Sequence, residues 1–208
     1  MIAIVDYGMG NLRSVQKGLE KLGFAAFITD RPQDVLQAAG VILPGVGAFG
    51  DAMENLVRCG LDEALREVAA SGRPFLGICL GLQLMFEESE ENGLHRGLGI
   101  WPGRVIRLPA EVKIPHMGWN RVRRLRYEPI LEGIADGTYF YFVHSYYVDT
   151  QEKGLVGAVA DYGVEVPAVV SRGKVFGIQF HPEKSSVCGL RILNNFGEMV
   201  RNVSHTRY

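Results

Sequence analysis

The sequence predicts an α/β fold: a mostly parallel central sheet flanked by helices on both faces, with an antiparallel β excursion in the second half. Three observations carry this. Strand-like and helix-like segments alternate through the first hundred residues, the order that puts parallel strands in one layer and their connecting helices on its two faces. The strand-like segments are unbroken apolar runs such as Val41-Ile42-Leu43, as expected of strands covered on both sides. Past residue 100 the pattern changes to β-prone segments separated by turns, closed by one helix.

Ile2–Val5 reads as the first strand, with a turn at Gly8-Met9-Gly10. Leu12, Val15, Leu19 and Leu22 then recur on one helical face, so Asn11 to Leu22 is an amphipathic helix that Gly23 ends. Phe24–Ile28 is a second strand, and Val41–Leu43 a third, closed by Pro44-Gly45-Val46-Gly47. Met53 to Ala70 is helical with an interruption at Gly60. Pro74–Ile78 is a short buried strand, and Leu82 to Glu88 a helix rich in good helix formers. In the second half, Val105–Leu108, Thr138–Val148, Gly154–Val159, Val166–Ser171 and Lys174–Phe180 read as strands. Gly173 marks a hairpin turn, and Gly189 to Arg201 is the closing helix.

A chain of 208 residues, 47% hydrophobic, has material for one sizeable core, and neither repeat nor linker divides it. One domain over 1–208 is expected. The 22 basic and 23 acidic residues nearly cancel, which gives no support for nucleic acid or an anionic membrane as partner. The apolar runs are too short to span a bilayer, and Met1-Ile2-Ala3-Ile4-Val5-Asp6 lacks the basic start of a signal peptide. The three cysteines are widely spaced and odd in number, which argues against a disulfide framework and for a reducing, cytoplasmic setting.

Cys79 is the most informative residue. It lies in Gly77-Ile78-Cys79-Leu80-Gly81, where a strand passes into a helix, the layout of a nucleophile elbow. The flanking glycines allow close backbone approach, the helix N-terminus favours thiolate, and the Leu80 N–H faces the place where an oxyanion would form. The competing reading is an inert buried cysteine. A nucleophile needs a base and an orienting group. His181 ends a strand, Pro182 biases it toward an extended conformation, and Glu183 two residues on falls on the same side to hold its imidazole. Two potential ligands with no third are poor evidence for a metal. The glycine-rich Pro44–Phe49 loop offers a second oxyanion donor or is a plain turn; it lacks the Lys and Ser/Thr of a P-loop. Tyr7-Gly8-Met9-Gly10 begins like a dinucleotide fingerprint but has Arg13 in place of the third glycine.

Gly77-Ile78-Cys79-Leu80-Gly81 with Gln179-Phe180-His181-Pro182-Glu183 resembles the class I (triad) glutamine amidotransferases. A narrower set is similar to the glutaminase subunits of imidazole glycerol phosphate synthases, of histidine biosynthesis. It comprises Asp6–Asn11, Leu43–Phe49, Pro115–Asn120 and Phe142–Tyr146, and the likeness runs from Ile2 to Phe196.

The resemblance implies an enzyme that hydrolyses glutamine to glutamate and ammonia through a cysteinyl thioester. Cys79, His181 and Glu183 would be catalytic, and Val46, Gly47 and Leu80 would hold the oxyanion. Gln83, with the backbone of His144, Ser145 and Tyr146, would bind glutamine, although Gln83 also fits a solvated helix position. No cofactor or metal is implied. The ammonia would pass to a cyclase subunit with a (β/α)8 barrel, in a heterodimer that makes imidazole glycerol phosphate and AICAR. Gly10, Asn11, Met117, Trp119 and Asn120 are the interface residues so implied, Trp119 also fitting a core position and His116 sharing that ambiguity. A stand-alone cysteine hydrolase and a non-catalytic binding module are the alternatives. The runs Glu87–Glu91 and Arg121–Arg126 read as a solvated helix end and a solvated strand edge, with Arg121 and Arg123 on one face.

Overall fold

The computed structural model describes residues 1–205, with side chains through Asn202. The first half runs β1 (Ile2–Val5), α1 (Leu12–Lys21), β2 (Ala26–Thr29), α2 (Pro32–Gln37), β3 (Gly40–Gly45), α3 (Phe49–Arg58), α4 (Leu61–Ala70), β4 (Phe75–Cys79) and α5 (Leu80–Leu84). It continues with β5 (Phe86–Ser89), β6 (His95–Arg96), β7 (Trp101–Arg107), β8 (His116–Arg121), β9 (Arg123–Arg124), β10 (Tyr139–His144) and β11 (Tyr146–Asp149). Last come β12 (Val156–Asp161), β13 (Glu165–Arg172), β14 (Val175–Ile178) and α6 (Ser186–His205). Eight strands form the main sheet in the order β2-β1-β3-β4-β14-β13-β12-β9. From β2 to β14 the neighbours are parallel; from β14 to β9 they are antiparallel. The excursion adds a four-stranded sheet, β11-β7-β5-β6, and a two-stranded ribbon, β10-β8.

Side-chain alternation along the buried strands divides the core. Ala3, Val5, Val41, Leu43 and Phe75 face one side, where α3, α4 and α5 pack. Ile2, Ile4, Ile42, Leu76 and Ile78 face the other, against α1, α6 and the ribbon's Phe140 and Phe142. Each fully buried Leu, Ile or Phe contributes about 1.5–3 kcal/mol of hydrophobic free energy, so both faces are needed to offset the entropy of ordering.

Several expected elements differ. The helical stretch expected from Met53 begins earlier, at Phe49; the interruption expected at Gly60 is present, a left-handed residue (φ 66°) that divides the stretch into two helices. The helix expected over Leu82–Glu88 stops at Leu84. Phe86–Ser89 is instead a strand paired with β7 and β6, because its backbone gains a ladder and Phe86 is buried against Trp101. Glu87, Glu90 and Glu91 are therefore no solvated helix end: their carboxylates accept the backbone N–H groups of Gly103, Arg107 and Phe49. Thr138–Val148 is broken at Ser145, and its halves belong to different sheets. Arg121 and Arg123 do not share a strand; buried Val122 separates β8 from β9. Arg123 pairs with Glu165, and Arg126 donates to buried Glu128 at 2.7 Å. The short helix α2 and the strands β5, β6, β8 and β9 are additions to the expected order.

Candidate active site

Cys79 is the last residue of β4, with Gly45 of β3 beside it in register. Its backbone has φ 54° and ψ −110°, a strained conformation for a residue with a Cβ. Pairing of β4 on both edges, with β3 and with β14, holds it there. The flanking glycines are required by contact. A Cβ on Gly81 would overlap the Leu43 carbonyl oxygen, and one on Gly77 would come within 2.8 Å of the Gly81 oxygen. With five residues, α5 is shorter than expected, so its dipole is a weaker source of positive charge beside the sulfur than His181 is.

His181 follows β14 and is tied to the ribbon, its N–H donating to the Tyr141 carbonyl at 2.9 Å. Ser185 Oγ donates to the His181 carbonyl at 2.6 Å and accepts the Tyr141 N–H at 3.0 Å. Glu183 Oε1 lies 2.9 Å from His181 Nδ1, and both side chains are about 2% exposed. The two meet through a single 3₁₀ turn over Pro182–Lys184 rather than along the extended segment expected. A carboxylate accepts, so Nδ1 carries the proton and Nε2 is left for a second partner. Among the described residues Nε2 has no hydrogen bond. Burial pushes the imidazole pKa down, but Cys79 and Glu183 outweigh it and raise it to about 10. The imidazolium is favoured because a sulfur and a carboxylate flank it.

The cavity at this corner has a volume of about 440 Å³. Cys79, Leu80, Gln83, Val46, Gly47, His144, Ser145, Tyr146 and His181 all line it. Glu183 stands behind His181. Gln83 is 4% exposed, which removes its reading as a solvated helix residue; its amide donates to the Tyr146 carbonyl at 2.8 Å. Gly47 has φ 101°, a conformation open to glycine at little cost. Tyr7 donates to the Pro44 carbonyl at 2.9 Å and anchors this loop; burial first, and Cys79 second, push its hydroxyl pKa up.

Sequence reasoning missed Glu91, Pro115, Val143 and Lys184, which also line the cavity. Glu91 was hidden in an acidic run, and no local pattern separates it from its neighbours. Gln179 opens the His181 motif but carries no expected role; fully buried, its amide lies 3.7 Å from Cys79 Sγ. Of the expected interface residues, Met117 and Trp119 are exposed, at 62% and 52%, on the outer face of the ribbon, where Trp119 meets Tyr141 edge-on. Trp119 is thus no core residue, whereas His116 is buried. Gly10 and Asn11 are half-buried, Gly10 beside Pro44. Asn120 turns its side chain inward. Among the described residues no three or more His, Cys, Asp or Glu side chains cluster as metal ligands would, and no helix is long and apolar enough to cross a membrane.

A cysteine on a strained strand-to-helix turn, with a histidine held by a carboxylate, belongs to a broad class of acyl-transfer sites. The chain belongs to the class-I glutamine amidotransferase family, whose model matches residues 3–199. It is 57% identical over 204 residues to the imidazole glycerol phosphate synthase subunit HisH of Moorella thermoacetica, covering 98% of this chain and 97% of that protein. It is 52% identical over 205 residues to the HisH subunit of Bacillus subtilis, covering 96% of each. Among solved structures, a crystal structure of a glutamine amidotransferase matches with TM-score 0.76 at 21% identity, over 97% of this chain and 100% of that one. PurLQS from Thermotoga maritima matches with TM-score 0.72 at 19% identity, over 97% of each chain. These structural likenesses bear on the fold alone.

Proposed function

We propose that residues 1–208 act as one glutaminase domain, the HisH-type subunit of an imidazole glycerol phosphate synthase in histidine biosynthesis. The observation that carries the reading is the meeting of Cys79 and buried His181 at one cavity, with Glu183 holding the imidazole from behind, in a chain 57% identical to a HisH subunit. Glutamine lies with its side-chain amide over Cys79. The sulfur, deprotonated in favour of His181, attacks the amide carbon. The carbonyl oxygen gains the electron pair and faces the N–H of Leu80 and a loop N–H at Val46 or Gly47. His181 gives its proton to the departing nitrogen, the C–N bond breaks, and ammonia leaves a thioester behind. Water then attacks the thioester carbon, passing a proton to His181; the C–S bond breaks with its electron pair returning to the sulfur, and glutamate is released. Gln83 and the His144–Tyr146 segment hold the amino acid, and the Glu91 carboxylate suits its α-ammonium group.

A glutamine analogue carrying an electrophilic ketone in place of the amide tests this. Peptide mapping should find Cys79 alkylated and Cys59 and Cys188 untouched. Labelling at either of those instead, with Cys79 bare, would sink the assignment.

The partner in this reading is a cyclase subunit with a (β/α)8 barrel, in a heterodimer. Exposed Met117 and Trp119 on the ribbon, with the Gly10–Asn11 turn, form the surface it meets. Exposed aromatic anchors of this kind carry about 2 kcal/mol or more of binding energy. Trp119→Ala is accordingly expected to weaken the complex at least about tenfold in Kd by titration calorimetry. An unchanged Kd would move the interface elsewhere.

A further inference from the structure

Two buried histidines link the ribbon to the cavity, and the backbone groups at each end fix which way every proton points. His144 Nδ1 lies 2.9 Å from the Tyr146 carbonyl, which only accepts, so Nδ1 carries the hydrogen and Nε2 is bare. His116 Nδ1 lies 2.9 Å from that bare Nε2 and must donate to it. His116 Nε2 is then an acceptor, and Asn120 Nδ2 lies 3.3 Å away. The Asn120 amide is itself oriented by backbone: Nδ2 donates to the Asp161 carbonyl at 2.8 Å, and Oδ1 accepts the Arg121 N–H at 2.7 Å. Beyond Tyr146 the chain continues. Gln83 Nε2 donates to the Tyr146 carbonyl at 2.8 Å and to Gln179 Oε1 at 3.1 Å, and Gln179 Nε2 reaches Cys79 Sγ.

Both rings must be neutral for this order to hold, and their surroundings favour that. Burial lowers the His116 pKa to about 4. Burial, then the neighbouring His116, lower that of His144 to about 3, the bond to Tyr146 acting in the opposite sense. His116 is also clamped between the Phe142 and Tyr162 rings, at centroid distances of 4.8 and 3.9 Å.

We propose that His116, outside the cavity lining, is a positioning residue. By donating to His144 and accepting from Asn120, it locks the His144 tautomer and hence the Tyr146 carbonyl against which Gln83 and the glutamine-binding segment are set. This rests on the glutaminase reading for its kinetic test but not for its spectroscopic one. ¹⁵N shifts of the imidazoles in the labelled full-length protein should show both rings neutral at pH 7 with the hydrogen on Nδ1. The hydrogen on Nε2 in either ring overturns the proposal.

His116→Phe keeps an aromatic ring between Phe142 and Tyr162 but donates nothing. In the reconstituted complex, its glutamine KM should rise roughly fivefold to tenfold, the effect of losing one neutral hydrogen bond, while ammonium-driven synthesis is unchanged. A merely structural role would lower kcat through lost active protein and leave KM alone, and that result also overturns the proposal. Should His116→Phe fail to fold, His116→Gln, which can donate and accept at once, takes its place. A KM within twofold of the parent's would support positioning, and a rise like that expected for the phenylalanine would refute it. If Cys79 proves not to be the nucleophile, the glutaminase reading falls, and the imidazole shifts still decide the tautomer chain.

Discussion

Replacing Cys79 with alanine is expected to abolish glutamine-dependent synthesis in the reconstituted complex while synthesis from added ammonium survives. The loss should be on the order of 10⁴-fold or more, the scale on which removing an enzyme's nucleophile acts. Alanine can occupy the φ 54° backbone with no more strain than cysteine, so the protein should fold and the partner surface persist. That separation makes the experiment decisive. If glutamine-driven product remains, the sulfur does not generate the ammonia. If ammonium-driven product also vanishes, Cys79 matters for assembly rather than for chemistry.

Glu183→Gln is the second large effect. The amide keeps the shape but removes the charge that helps hold the His181 proton. It can also present an N–H to Nδ1, which favours the wrong tautomer. Glutaminase kcat should fall by about 10²- to 10⁴-fold, the span of a general acid–base contribution. The pH dependence carries the sign. Folded His181 holds its proton up to about pH 10, against an ordinary value of 6.5. The stabilisation it lends the fold is thus complete below 6.5 and disappears as pH rises through about 10. Without the carboxylate the protonated form is less favoured, so the alkaline limb of the activity profile should move to lower pH. A limb that stays in place, with kcat unchanged, would remove Glu183 from the site.

What the sequence disclosed follows the range of the forces involved. β1 and α1 were legible because one is an unbroken apolar run and the other repeats its apolar residues at the helical period, over stretches that no distant partner overrides. Phe86–Ser89 was not. Its glutamates favour helix, and only pairing with β7, more than ten residues away, makes it a strand. Thr138–Val148 reads as one β-prone run, and nothing within it announces that Ser145 hands the chain from one sheet to another. At the site, Cys79, His181 and Glu183 stood out because each pattern is short: a glycine on either side of the cysteine, a carboxylate two residues beyond the histidine. Glu91, Pro115 and Lys184 reach the cavity from three separate segments of the chain, and that convergence is set by strand order. The same holds for the pairing of His116 with His144, which are 28 positions apart and meet because β8 and β10 run antiparallel in that register.

The ribbon that makes this pairing has only two strands, and alternation gives it two unlike faces. Met117, Trp119 and Tyr141 point out; His116, Phe142 and His144 point in. A second protein proposed for the outer side would lie one thickness of sheet from the inner residues, of which His144 lines the cavity proposed for glutamine. Linkage makes any such coupling mutual: whatever factor the second protein adds to the affinity for glutamine, bound glutamine adds to the affinity for that protein. In the proposed reading the same two strands are a wall that each occupant feels through, and saturation with the small molecule is a means of holding the large one.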